Sequence, residues 1–235
     1  MKNLILASTS TLHGQEYLEY LIPLLRSHFS GCSEVLFIPF ARPGGISHEE
    51  YTSTAARAFD KAGLKIKGLH EFSEPRVAIQ KAKGIFTGGG NTFLLVQQLH
   101  SQNLITPLKE VLEKGIPYLG TSAGTNIAGL TMKTSNDMPI VYPPSFNTLG
   151  LVPFNINPHY LDPDPDSTHK GETRETRIKE FHQFNTPPVI GLREGSWLEV
   201  KGKDIRLKGE PLARIFEAGK EAYEVEPETL LNDLT

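Results

Sequence analysis

Five short apolar runs, Leu4–Ala7, Val35–Phe40, Leu64–Leu69, Ile85–Thr87 and Ile116–Leu119, are spaced through the first half of the chain with helical patterns between them. Runs of three to six residues are strand-length, and strands alternating with amphipathic helices imply right-handed βαβ crossovers. The expected fold class is therefore α/β, with a mostly parallel sheet covered by helices on both faces. Leu18, Leu21, Ile22 and Leu25 recur at spacings of three and four, which predicts a helix over Gln15–Phe29, kinked or shortened at Pro23. A second helix is expected over Glu49–Ala62, ended by Gly63, and a third over 92–101. After Val189 the texture changes. Short strand-like runs at Val189–Leu192, Trp197–Val200, Ile205–Leu207 and Ala213–Phe216 suggest hairpins or an antiparallel edge added to the main sheet. No internal repeat or low-complexity linker divides the 235 residues, so one domain spanning 1–235 is expected.

Several function classes drop out on composition. Cys32 is the only cysteine, which excludes an intramolecular disulfide and any multi-cysteine zinc site. The apolar run after Met1-Lys2-Asn3 is too short for a signal peptide, and no stretch reaches the roughly 18 apolar residues of a membrane span. A soluble, cytoplasmic protein without a membrane partner is expected. The net charge of −3, with no basic run, argues against a nucleic-acid partner, which requires a cationic stripe.

Gly120-Thr121-Ser122-Ala123-Gly124 is the strongest chemical signal, a G-x-S-x-G pentapeptide directly after an expected strand and before an expected short helix at 123–129. A nucleophile elbow needs this context, because the chain must turn sharply to lift the serine hydroxyl out at the strand's carboxyl end. Small residues at 120, 123 and 124 permit the turn, and the Ala123 amide falls where an oxyanion would form. Gly88-Gly89-Gly90-Asn91-Thr92 ends the run Ile85–Thr87 in the same way. It matches neither the G-x-G-x-x-G fingerprint nor the P-loop, so a phosphate cradle is disfavoured. A tight packing turn is one reading; the preferred one is that Gly90 supplies a second oxyanion amide.

A serine nucleophile needs a base. Of eight histidines, His13, His28, His48, His70, His100 and His182 have no supporting pattern, whereas His159 follows Pro158 just after an expected strand. His159 is the leading candidate, with His169 in reserve. An orienting carboxylate is expected at Glu194, past the end of Val189–Leu192, with Asp137, Asp162 and Glu172 competing for the role. Arg174, in the charged segment 169–177, could clamp a substrate carboxylate with its planar fork or simply face solvent. No metal or cofactor is implied.

Six segments resemble the peptidase E family of α-aspartyl dipeptidases, which are serine peptidases. They are TGGGNTF at 87–93, GTSAGTN at 120–126, NDMPIV at 136–141, INPH at 156–159, HKGETRE at 169–175 and GLREGSW at 191–197. They follow the family's order over nearly the whole chain. The resemblance implies a three-layer flavodoxin-like sandwich related to class I glutamine amidotransferases, acting on small peptides with an N-terminal aspartate. Matched by position, Ser122 falls on the family's nucleophile, His159 on its base and Glu194 on its acidic member. Gly90 and Ala123 match the oxyanion amides, and Arg174 the arginine for the aspartyl side chain. Thr121 stands where relatives carry tryptophan and Arg193 where they carry proline, and Asp137 stays open as an alternative or auxiliary acid. Rival readings are another serine hydrolase on this scaffold (esterase, amidase or cyanophycinase-like) and an inactive binding relative. The sequence leaves monomer or homodimer open.

Overall fold

The computed structural model describes residues 1–163, 166, 168 and 171–235. Five strands alternate with helices in the first half: β1 (Asn3–Ala7), α1 (Ile22–His28), β2 (Glu34–Ile38), α2 (His48–Lys61), β3 (Lys65–Gly68), α3 (Pro75–Lys81), β4 (Ile85–Thr87), α4 (Thr92–Ser101), α5 (Ile105–Glu113) and β5 (Tyr118–Thr121). The rest comprises α6 (Ala123–Asn126), β6 (Asn155–Pro158), α7 (Arg174–Phe181), β7 (Val189–Leu192), β8 (Trp197–Lys201), β9 (Asp204–Lys208), β10 (Ala213–Phe216) and β11 (Tyr223–Val225). Among the described residues no helix is long and apolar enough to cross a membrane.

The main sheet has the order β3-β2-β4-β5-β1-β8-β9; its first five strands are parallel and the β8–β9 hairpin is antiparallel. Side chains alternate across it. Leu4, Leu6, Leu36, Ile38, Ile85 and Tyr118 join one apolar cluster with α4 and α5, while Ile5, Ala7, Val35, Phe37, Phe86 and Leu119 join another with α1 and α2. Helices cover both faces, and the three-layer α/β sandwich is the fold. On the second face Phe37, Phe59 and Phe86 stack with centroids 4.9 and 5.4 Å apart, each burial contributing about 1.5–3 kcal/mol. Helix α2 starts on a capping box, Ser47 Oγ accepting from Glu50 N at 3.1 Å while Glu50 Oε2 accepts from Ser47 N at 2.7 Å.

Two expectations change. Residues 15–29 form no single helix: Leu18 is left-handed (φ 59°), a 3₁₀ turn covers Glu19–Leu21, and α1 begins at Ile22. Pro23 lies in the first turn, where its missing N–H costs nothing, so it starts the helix instead of kinking it. The apolar spacing was nonetheless a true signal of burial, since Leu18, Leu21 and Leu25 are all fully buried. The C-terminal strands also divide. Only β8 and β9 extend the main sheet; β7, β10 and β11 join β6 in a second, four-stranded sheet of order β11-β10-β7-β6. Its β6–β7 pair is parallel, joined by a connection containing α7, while β10 is antiparallel to both neighbours. Ile156, Ile190, Leu192 and Ile215 of this sheet pack into the first apolar cluster.

Candidate active site

The carboxyl ends of parallel strands are where α/β sheets hold ligands. Here the register pairs Ile38 with Thr87, Thr87 with Gly120 and Ala7 with Thr121, so β2, β4, β5 and β1 end level with one another. The loops that follow meet over the sheet's edge.

Ser122 is the first residue past β5 and adopts φ 52°, ψ −111°, a conformation that side chains other than glycine's rarely tolerate. Its surroundings enforce it. A Cβ at Gly120 would lie 2.5 Å from Gly124 O, and one at Gly124 would lie 2.2 Å from Thr87 O, so only glycine fits either place. Ser122 N donates to Ala7 O at 3.2 Å, and the buried Thr125 hydroxyl sits 2.6 Å from Ala7 O and 2.8 Å from Gly120 O. The strand therefore stops, bends and enters α6 within one residue, leaving Ser122 half-buried between buried neighbours.

The glycine loop after β4 packs directly on this bend. A Cβ at Gly89 would lie 3.0 Å from Ser122 Cβ, and Gly90 (φ 142°) would place one 2.3 Å from Ala41 O. Tyr51 Oη donates to Gly89 O at 3.1 Å and Asn91 N donates to Ala41 O at 2.7 Å, which fixes the loop from behind. Neither the Gly90 nor the Ala123 amide has an acceptor among the described residues.

His159 arrives from the second sheet. It follows β6 in a left-handed conformation (φ 53°), its amide donating to Ser8 Oγ at 2.9 Å. The same Ser8 hydroxyl donates to Leu192 O at 2.8 Å, and Tyr160 N also donates to Leu192 O at 2.9 Å. Ser8 is fully buried at the end of β1, so one hydroxyl ties the end of the main sheet to the ends of β6 and β7. Pro158 pairs with Leu192 in the β6–β7 register, which brings the residues that follow each strand close together. Glu194 Oε1 consequently sits 2.6 Å from His159 Nδ1. This contact sets the tautomer, with Nδ1–H donating to the carboxylate and Nε2 free to accept. Ser122 and His159 line the same cavity, with no direct hydrogen bond between them. Such bonds are often long in a free enzyme and tighten around substrate.

The competing carboxylates are engaged elsewhere. Asp137 Oδ2 accepts from Thr92 N (2.7 Å), Thr92 Oγ1 (2.6 Å) and Ser135 Oγ (2.9 Å) at the start of α4, so it does not contact His159. Asp162 takes a fork from Arg193 at 2.8 and 2.7 Å, and Glu172 lies 3.7 Å from Arg177. His169 falls outside the described residues. Arg193 also grips Glu224 at 2.8 and 3.0 Å and donates to Leu212 O at 2.8 Å, while its own carbonyl accepts from Ser196 N and Oγ. These hydrogen bonds hold Asp162 and Glu224 below the usual carboxylate range. The arginine thus braces the turn that carries Glu194, doing by ion pairing what a proline does by ring closure.

Arg174 is the first residue of α7, after the cap Thr173. Burial, with help from Arg177, lowers its pKa, and Asp137 opposes the shift. It pairs with no carboxylate among the described residues, so it is a half-buried cation short of an anion. The cavity holding these groups measures about 380 Å³ and is lined by Ser122, Gly90, His159, Asp137, Arg174 and Arg42, among others. Glu194 stands behind the imidazole, outside the lining. A hollow of about 370 Å³ beside α3, lined by residues such as Phe72, Val77 and Lys81, contains no histidine. Among the described residues no three His, Cys, Asp or Glu side chains cluster as metal ligands.

The profile described as Peptidase family S51 matches residues 4–208, a span that includes the serine bend, the glycine loop, His159, Arg174 and Glu194. The chain belongs to peptidase family S51. This family S51 member is 47% identical to a protein named Peptidase E from Streptomyces coelicolor, over 99% of its own length and 94% of the relative's. It is 46% identical to a Drosophila melanogaster protein named "Probable alpha-aspartyl dipeptidase", over 100% of this chain and 96% of that one. The crystal structure of a peptidase from an acI-B1 actinobacterium shares the fold with a TM-score of 0.68 at 17% identity, covering 98% of this chain and 96% of that one.

Sequence reasoning missed Ser8, Thr92 and Arg42. Ser8 and Arg42 share one signal that could have found them, since both lie just past the carboxyl end of a parallel strand.

Proposed function

We propose that this family S51 member is a cytoplasmic serine dipeptidase that hydrolyses the bond after an N-terminal aspartate through an acyl-enzyme on Ser122. The observation that carries this reading is the strained Ser122 bend, lining the same cavity as His159, which Glu194 holds from behind, and as Arg174, which has no carboxylate partner among the described residues. The names of the relatives at 46–47% identity support the substrate class. The lone Cys32 suits a reducing compartment.

In the proposed mechanism neutral His159 accepts the Ser122 proton at Nε2 as Oγ attacks the carbonyl carbon of the aspartyl residue. The carbonyl oxygen becomes an oxyanion held by the Gly90 and Ala123 amides, where each such donor is worth roughly 3–4 kcal/mol. The imidazolium, stabilised by Glu194 on Nδ1, gives its proton to the leaving nitrogen as the C–N bond breaks. His159 then deprotonates a water that attacks the ester carbon, and the imidazolium returns that proton to Oγ as the C–O bond to Ser122 breaks. Arg174 pairs with the aspartyl side-chain carboxylate and so positions the scissile carbonyl over Ser122. Asp137, whose Oδ2 accepts from Thr92 N, Thr92 Oγ1 and Ser135 Oγ, keeps Oδ1 for the substrate's ammonium group.

A dipeptide panel tests the reading. Wild type should cleave Asp-Leu in preference to Ala-Leu and Asn-Leu by at least about 10²-fold, because an unanswered half-buried cation rejects neutral analogues. Ser122→Ala should abolish turnover with an unchanged circular dichroism spectrum, and Arg174→Ala should remove the preference for Asp. Residual turnover by the first variant, or a loss by the second that is equal on all three dipeptides, would sink the assignment.

A further inference from the structure

The cavity contains a second guanidinium, and the mechanism above gives it nothing to do. Arg42 lies on the loop after β2, next to Ala41, whose carbonyl accepts from Asn91 N and against which Gly90 packs. Its guanidinium carbon stands 4.7 Å from the Tyr51 ring centroid, and Tyr51 is itself buried and bonded through Oη to Gly89 O. Arg42 is thus linked to Ser122 by a chain of contacts, Arg42 on Tyr51, Tyr51 on Gly89 and Gly89 against Ser122. It has no carboxylate partner among the described residues, and its Nε is buried with no hydrogen-bond acceptor. A buried, unanswered donor is costly and gains when an acceptor arrives. Arg174, by contrast, enters at the start of α7 beside Asp137 and Arg177.

Two arginines lining one cavity, neither with a carboxylate partner among the described residues, match a substrate with two carboxylates. On the reading given above, the aspartyl side chain goes to Arg174. Once the scissile carbonyl is seated at Ser122, the terminal carboxylate of a dipeptide lies one residue on, within about 3.8 Å of the scissile carbon. We infer that Arg42 binds this terminal carboxylate and makes the cavity a reader of dipeptide length. A tripeptide or a dipeptide amide puts a neutral amide at the same place, leaving Arg42 unanswered.

This inference rests on the dipeptidase reading, so the experiment separates the two. The quantity measured is the ratio of kcat/KM for Asp-Leu to that for Asp-Leu-amide. A charge-assisted pair is worth about 1.5–3 kcal/mol, so wild type should favour the free acid by roughly 10–100-fold. Arg42→Gln should bring the ratio to near one, and Arg42→Lys should keep part of it. A wild type indifferent to amidation overturns the proposal. So does an Arg42→Gln variant in which both rates fall together with the ratio intact, since Arg42 would then act only by bracing Tyr51 and the glycine loop. If the protein prefers a dipeptide with another first residue, the aspartate reading fails, and the acid-to-amide ratio on that dipeptide still decides Arg42. If turnover is undetectable on every peptide, calorimetric affinities of Ser122→Ala for Asp-Leu and its amide give the same ratio, and equal affinities overturn the proposal.

Discussion

Ser8→Ala removes one oxygen atom and, with it, a hydroxyl that bridges the end of β1 to the ends of both β6 and β7. The His159 amide loses its acceptor at 2.9 Å, while the Leu192 carbonyl loses one donor at 2.8 Å but keeps Tyr160 N. A buried N–H left without a partner costs about 1–3 kcal/mol, and a lost bond to a group that keeps another partner about 0.5–1 kcal/mol. The sum is roughly 1.5–4 kcal/mol, which in a protein of this size lowers the thermal midpoint by about 3–16 °C. The amide in question belongs to a residue held at φ 53°, so its release also lets the imidazole drift. Misplacement of a general base by about 1 Å costs of order 10²-fold in rate. Calorimetry and Asp-Leu kinetics together check this: the midpoint should drop and kcat should fall about 10–100-fold with KM changed less than threefold. A destabilised variant with wild-type kcat would show that Ser8 serves the fold alone. An unchanged midpoint would refute the hydrogen-bond accounting itself.

Glu194→Gln should cost about 10²–10³-fold in kcat, less than for a buried triad acid, because the Glu194 side chain is 46% exposed. Asp137→Asn should instead raise KM for dipeptides with a free amine and leave N-acetylated ones alone, since Asp137 contacts Thr92 and not His159; steady-state kinetics on both substrates would expose a reversed assignment. His28 supplies a stability test away from the site. Burial lowers its pKa to about 4 although its ring bonds to Tyr118 O, whereas the unfolded chain titrates near 6.5. The unfolded state therefore takes up the proton first, and stability falls as pH drops from about 6.5 to 4, by roughly 3 kcal/mol in total. Urea melts of wild type and His28→Gln across that window should converge toward acid, and parallel curves would disprove the burial argument.

The local geometry around Ser122 and the glycine loop is legible in the sequence. The strand-to-helix bend at Ser122 follows from small residues at 120, 123 and 124, and the glycine loop from three glycines after an apolar triplet; both are local steric facts. The paired carboxylate was less legible. Glu194 had three rivals of similar appearance, and only the pairing of Pro158 with Leu192 distinguishes it. Arg193 looked like a departure from the family pattern in the sequence and is a five-bond brace in the structure, because its partners Asp162, Leu212 and Glu224 are distant in the chain. Pro23, expected to kink or shorten a helix over 15–29, sits in the first turn of the shorter α1, since spacing reports which face is buried but not where a helix begins.

By itself, then, the sequence determined the parallel α/β layers, the bend that strains Ser122 and the identity of the candidate groups. These depend on steric and periodic rules acting within a few residues. The tertiary structure alone decided that β6 and β7 leave the main sheet and pair with each other, that Ser8 joins them to β1 across 151 and 184 residues, and that Arg42 stacks on Tyr51 beside the glycine loop. Contacts at such separations are selected by packing and by the pairing of buried polar groups. No local pattern in the chain encodes which of many equivalent hydroxyls or guanidinium groups will supply them.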